Sequence, residues 1–128
     1  FGSAVRTDSA VLTVSDCGFE NNKNASYGGA VFASNSDFAT FEASNCLFEN
    51  NLSDDRGGAI YARDPTYISV SCTSIDNQSP QASYIYITHS VEPSYIKSSA
   101  IVHSASGSSE VIYIANSVVV VDSVYMED

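Results

Sequence analysis

The sequence predicts an all-β chain wound as a parallel β-helix, a single segment over residues 1–128 with four to five coils of roughly 27 residues and three short strands per coil. Three observations predict it. A block of residues recurs at a nearly fixed interval along the chain. Within each block, runs of three to five residues alternate apolar and polar, as in Leu12-Thr13-Val14, Phe41-Glu42-Ala43, Ile85-Tyr86-Ile87 and Ile112-Tyr113-Ile114. No long window places apolar residues at the three- and four-residue spacing that a helical hairpin needs. Many β-branched and aromatic residues with few strong helix formers agree with strands.

The clearest copy runs from Gly28 to Arg56, GGAVFASNSDFATFEASNCLFENNLSDDR, and another GGA opens at Gly57. Aligning Phe19–Asn22 with Phe48–Asn51 lays Cys17 over Cys46, Val14 over Ala43 and Leu12 over Phe41. The third copy reads Ile75-Asp76-Asn77-Gln78 in place of Phe-Glu-Asn-Asn, the fourth puts Val102 at the Phe place, and the fifth ends on Val124 and Met126. The first strand of each coil follows the glycines and points Val31/Ala33, Ile60/Ala62, Ile85/Ile87 and Ile112/Ile114 inward. The second points Leu12/Val14, Phe41/Ala43, Ile68/Val70 and Val119/Val121 inward. Val14 and Cys17 are three apart yet both apolar, so Ser15-Asp16, Ser44-Asn45 and Asp122-Ser123 form an outward corner. The third strand builds a core stack of Phe19, Phe48, Ile75 and Val102, with Cys17, Cys46, Thr73, Ala100 and Val124 as its partner column. Lys97 falls near an inward column unless a register shift puts Ile96 there.

Asn21, Asn50 and Asn77 occupy the turn after the third strand. Asn tolerates left-handed backbone angles, and side-chain amides stacked one above another can bond as a ladder; a simple turn preference for Asn is the other reading. Loops at Lys23–Tyr27, Leu52–Arg56 and Ser79–Ser83 follow, and Gly28-Gly29 and Gly57-Gly58 supply backbone freedom where each re-enters the first strand.

A net charge of −10 argues against nucleic acid and against an anionic membrane surface, and no apolar run has the length of a membrane span. Three cysteines do not make a disulfide framework, and Cys17 and Cys46 at equivalent places read as small core residues, a disulfide or metal pair being the alternative. The chain opens at Phe1 without a recognisable leader, so it reads as a piece of a longer solenoid.

GGAV at Gly28–Val31 and GGAI at Gly57–Ile60, paired with the F-x-x-N runs at Phe19–Asn22 and Phe48–Asn51, resemble the repeats of the chlamydial polymorphic outer-membrane proteins. Similar repeats occur in surface-protein families of some protists, trichomonads among them. The resemblance covers the first half of the chain. It implies a right-handed β-helix, an extracellular or cell-surface location and an adhesive role.

Chemistry-bearing residues are sparse. Asp54, Asp55, Arg56 and Asp64 come nearest to the carboxylate cluster of a polysaccharide-active β-helix or a calcium site, and a solvated loop with weak surface ion pairs is the plainer reading. Coil stacking sets Glu20, Glu49 and Asp76 too close together for an inverting carboxylate pair. His89 and His103 lack a Ser or Cys partner at any recognisable spacing, and no cofactor is indicated. The first-strand residues that alternate with the inward Ile are Phe32, Tyr61, Tyr86 and Tyr113, with Arg6 before them and Tyr84 and Val111 flanking. An exposed aromatic stripe of this kind suits contact with a glycan or a protein surface; rings stacked merely to stabilise the sheet are the other reading. Sequons at Asn24, Asn51 and Asn77 predict sugar on one edge if the protein is secreted by a eukaryote. The apolar run Val118–Val121 suggests end-to-end association. The residues together predict a non-enzymatic surface module for adhesion or for spacing, the alternatives being a fragment of a polysaccharide-active enzyme or a spacer inside a larger assembly.

Overall fold

The computed structural model describes residues 3–23, 25–34, 40–97, 99–102 and 110–127. His103 and Asn24 lie outside them. The described chain is a parallel β-solenoid of four to five turns. The first coil holds β1 (Val5–Asp8), β2 (Val11–Ser15), β3 (Gly18–Glu20) and β4 (Ala25–Tyr27). The second holds β5 (Val31–Ser34), β6 (Thr40–Glu49) and β7 (Ser53–Arg56), and the third β8 (Ile60–Arg63) and β9 (Tyr67–Ile75). The fourth holds β10 (Ile85–Thr88), β11 (Ser94–Lys97) and β12 (Ala100–Val102), and the fifth β13 (Ile112–Ala115), β14 (Val119–Asp122) and β15 (Tyr125–Glu127). One sheet stacks β1-β5-β8-β10-β13; a second runs from β2 and β3 through the long β6 and β9 to β11/β12 and β14/β15. A third pairs β4 with β7, so two of the expected loops contain short strands.

The coil closes because the backbone turns left-handed at fixed places. After the first sheet Ser9, Asp64, His89 and Asn116 have φ of 49–56°; mid-coil Asp16, Asn45 and Ser123 have 52–55°; after the third strand Asn21, Asn50 and Asp76 have 49–57°. Gly28, Gly57 and Ala82 supply the last corner at 58°, 65° and 57°. Ser, Asp, Asn and His fill most of these positions because short polar side chains bond locally and tolerate this conformation. The outward corner read from Ser15-Asp16, Ser44-Asn45 and Asp122-Ser123 is therefore present.

Inside, one apolar cluster runs through the coils, with Val31, Phe41, Ile60, Ile68, Val70, Ile85, Ile87 and Ile96 fully buried. Phe19 and Phe48 stack with centroids 4.9 Å apart and planes 6° from parallel. The stack then departs from the expected one. Phe48 pairs with Ser74, and Ile75 pairs with Glu49 and Val102. Ile101, not Val102, is the buried residue of the fourth coil, and Met126 follows it. The cause is one missing corner residue. The second coil spaces its inward residues Ala43, Cys46, Phe48; the third runs straight through as Val70, Cys72, Ser74, alternating strictly along β9. Register therefore shifts between Ser44 and Leu47. Thr73 and Ala100 leave the inner column, and Cys72 and Ser99 take it. The fourth coil has one residue more than the third between its paired positions, and Ile96 faces Val70 in the core while Lys97 points to solvent. Glu49 opposite Ile75 also separates Glu49 from Asp76.

Cys46 and Cys72 are buried free thiols, and Cys17, in the first coil, is exposed. Burial above all, with the Cys46 thiol beside it, pushes the Cys72 thiol up to about 12. At pH 8 only about one Cys72 in ten thousand is then thiolate, the form that alkylates. Native iodoacetamide treatment should add a single label, at Cys17, and urea should admit three; three labels on the native protein would contradict the burial.

Tyr84, expected to flank an outward stripe, is wholly buried inside the coil against Phe48, 6.1 Å between centroids. Its hydroxyl finds no hydrogen-bond partner among the described residues, and burial raises the phenol well above its ordinary value. Removing an orphaned buried hydroxyl relieves a desolvation penalty of about 1–3 kcal/mol, so Tyr84→Phe is expected to raise stability by about 1 kcal/mol in urea melts. A folded-state pKa above the unfolded one means stability that is present below about pH 10 and lost as pH rises further. The variant should accordingly soften the alkaline limb of the stability profile, and a loss of stability in Tyr84→Phe would show that the hydroxyl has a partner.

The last described coil leaves several large apolar side chains uncovered. Ile114, Val118, Val120, Val121, Tyr125 and Met126 are exposed there.

Candidate functional site

In strand register Arg6 lies against Phe32, Phe32 against Tyr61, Tyr61 against Tyr86 and Tyr86 against Tyr113. The rings form a column on the outside of the first sheet, with successive centroids 5.3, 5.3 and 4.5 Å apart and planes within 16°, 16° and 8° of parallel. A repeat near the strand spacing of about 4.8 Å is what in-register parallel strands impose on like side chains. The column is an apolar cluster separate from the coil interior, closed in by Ala82 and by Tyr27 of β4.

The column is outward but not exposed. Phe32, Tyr61 and Tyr86 keep only 8%, 5% and 5% of their surface, and Tyr113 is half-buried. Two features cover it, and the sequence reading took neither into account. Tyr27 leans across Phe32 and Tyr61 at 6.3 and 5.1 Å, tilted by 49° and 37°. The Arg56 guanidinium lies 5.4 Å from the Tyr86 ring centre and 6.0 Å from that of Tyr27, while Arg6 caps the Phe32 end at 5.0 Å. Such cation–π contacts are each worth on the order of 0.5–2 kcal/mol. Burial raises the Tyr61 and Tyr86 phenols, with Arg56 pulling the other way. The signal for the cover was the loop spacing: Tyr27 and Arg56 pair in register one residue before Gly28 and Gly57.

The ladder is real but sits one residue on from where two of its members were expected. Asn22 Nδ2 donates to Asn51 Oδ1 at 2.8 Å, and Asn51 Nδ2 donates to Asn77 Oδ1 at 2.8 Å and to the Phe19 carbonyl at 2.8 Å. Asn77 Nδ2 donates to the Phe48 carbonyl and to Ser74 Oγ, which satisfies the hydroxyl that replaces a phenyl ring in the core. Asn21 and Asn50 are instead the left-handed corner residues beside the ladder. This overturns two of the sequons. Asn51 and Asn77 are 0% and 2% exposed with both amide hydrogens engaged, so neither amide is open to glycosylation in the folded chain. The third, Asn24, lies outside the described residues.

Residues 45–63 match the model of the Chlamydia polymorphic membrane protein (Chlamydia_PMP) repeat. The matched stretch runs from the left-handed Asn45 through Phe48, the ladder residue Asn51, β7 and Gly57-Gly58 to the end of β8. Its sequence is thus dominated by residues that turn and stack a coil. No curated protein and no solved structure matches the chain.

The acidic candidates are dispersed. Asp55 meets Arg56 at 3.7 Å, and Asp64, at a corner, meets Arg63 at 3.3 Å and His89 at 3.6 Å. Asn116 Nδ2 lies 3.0 Å from His89 Nε2, so His89 belongs to a corner column between Asp64 and Asn116. Among the described residues no three His, Cys, Asp or Glu are grouped to hold a metal ion, and no helix is long and apolar enough to cross a membrane.

Proposed function

We propose that this chain is a non-enzymatic β-helical scaffold of a cell-surface or extracellular protein, a stalk that spaces and presents other surfaces. The observation that carries the reading is how the repeated features are used. The Asn ladder and the aromatic column join one coil to the next, and the left-handed corners close each coil. A solenoid held by nearest-neighbour contacts gains length without new folding problems, which suits a stalk. The similarity of residues 45–63 to a polymorphic membrane protein repeat supports the surface location. Surface shaving of intact source cells with protease, followed by peptide mass spectrometry, tests it. Peptides of this chain should be released before lysis; release only after permeabilisation would overturn the location. Adhesion is the second reading, and the pocket described next favours it.

A further inference from the structure

The chain has five basic residues against fifteen acidic ones, yet Arg6, Arg56 and Arg63 all line one pocket of about 310 Å³ beside the aromatic column. Tyr27, Phe32, Ser34 and Tyr61 complete the lining, and among the described residues no carboxylate is part of it. We infer that this pocket binds an acidic sugar residue, with the carboxylate held by the arginines and the sugar ring set against Tyr27 and the edge of the stacked rings.

Four observations lead there. Concentrating three of five cations in one concavity opposes the protein's own field, so solubility does not explain it. Asp8, Asp55 and Asp64 meet their arginines at Nε, at 3.0, 3.7 and 3.3 Å, and all three carboxylates stay outside the lining. Arg56 Nε is buried, and the 3.7 Å to Asp55 is beyond hydrogen-bond reach, so this one nitrogen has no acceptor among the described residues, while the guanidinium also donates to the Tyr61 hydroxyl. A guanidinium is a planar fork that matches a carboxylate through two parallel bonds. Finally, the rings of Phe32 and Tyr61 stack along the solenoid, so their edges, the positive rim of the ring quadrupole, face sideways. Tyr27, tilted out of that stack, adds an aromatic ring next to the cations. The volume is at the lower end of the range for small-molecule sites, about 300–1,000 Å³, and larger than a lone carboxylate fills.

The inference goes beyond the scaffold reading, and its failure would leave the shaving result untouched. The test is an NMR or calorimetric titration of the 128-residue chain with sodium glucuronate, alongside glucose and sodium sulfate. Glucuronate should bind at least about tenfold tighter than either, and binding should weaken as salt rises, because the contact is charge-assisted. Arg63→Gln, whose side chain is 63% exposed and outside the aromatic stack, should lower affinity about tenfold with the melting temperature unchanged. Arg56→Gln should do the same with some loss of stability, since it also covers Tyr86. Equal binding of glucose or of sulfate, no glucuronate binding, or undiminished affinity in Arg63→Gln would each overturn the assignment.

Discussion

Gly58→Ala is expected to destabilise the protein by about 3 kcal/mol or more, lowering the melting temperature by on the order of 10 °C. A Cβ at this position would lie 2.2 Å from the Ser83 carbonyl oxygen and 2.7 and 2.8 Å from Gln78 N and C, all backbone atoms of the next coil. They cannot step aside, because Gln78 is tied to the second coil by its N–H to the Asn51 carbonyl at 2.8 Å and by its carbonyl to Ser53 N–H at 3.0 Å. Gly29 meets the second coil in the same way, at 2.2 Å from the Gly58 oxygen. The second glycine of each pair is thus a space requirement; the first, at φ 58° and 65°, is a conformational one as well, since a Cβ there would also meet the backbone oxygen of Val31 or Ile60. Gly18→Ala is the matched control. Its Cβ meets only the movable Glu20 carboxylate at 3.3 Å, so thermal unfolding should change by less than about 1 kcal/mol. A Gly58→Ala protein that melts with wild type would mean that the coils do not approach this closely.

The glycines show what the sequence makes legible and what it hides. Repeat length, strand alternation and the corner at Ser44-Asn45 all follow from a pattern in which like residues must stack, and the fold was readable from it. Register in the worn copies was not, because the reading followed hydrophobicity. Ile75 and Val102 looked like successors of Phe48, but the third coil is one residue shorter at its corner. The column then continues through Ser74, made tolerable by the Asn77 amide, and returns to an apolar residue at Ile101. A buried serine bonded to an asparagine three residues on carries no apolar signature. The same slip moved the ladder from Asn22 and Asn51 to Asn21 and Asn50. In FENN the two asparagines look alike; only backbone angle and direction of the side chain separate the outward corner from the inward rung. The aromatic column was placed correctly on the outer side of the first sheet. Its burial was missed because the cover comes from Tyr27 and Arg56, which reach across to rings of later coils, Tyr61 and Tyr86.

That distinction between adjacent asparagines yields the second large effect: Asn51→Asp is expected to cost more than 3 kcal/mol at pH 7, and Asn50→Asp under about 1 kcal/mol. Asn51 is fully buried and its side chain makes four hydrogen bonds. It donates to the Phe19 carbonyl and Asn77 Oδ1, and it accepts from the backbone and side-chain nitrogens of Asn22 at 3.1 and 2.8 Å. An aspartate keeps the two accepted bonds but turns both donated bonds into oxygen facing oxygen, and adds a buried charge. Burial and the two facing oxygens should raise the folded-state pKa of that carboxyl above the unfolded value near 4. A raised pKa means stability present at low pH and lost as pH rises through it. The penalty of Asn51→Asp relative to wild type should therefore shrink between pH 7 and pH 4, where a protonated carboxyl can again donate once. Asn51→Leu orphans the same partners without a charge, so its penalty should not follow pH. Asn50 is exposed at a left-handed corner, and the third coil already carries an acid there, Asp76 at φ 49°. Urea melts of the three variants at both pH values check the scheme: equal penalties at positions 50 and 51, or an Asn51→Asp penalty that ignores pH, would mean that the inward amides do not bond from coil to coil.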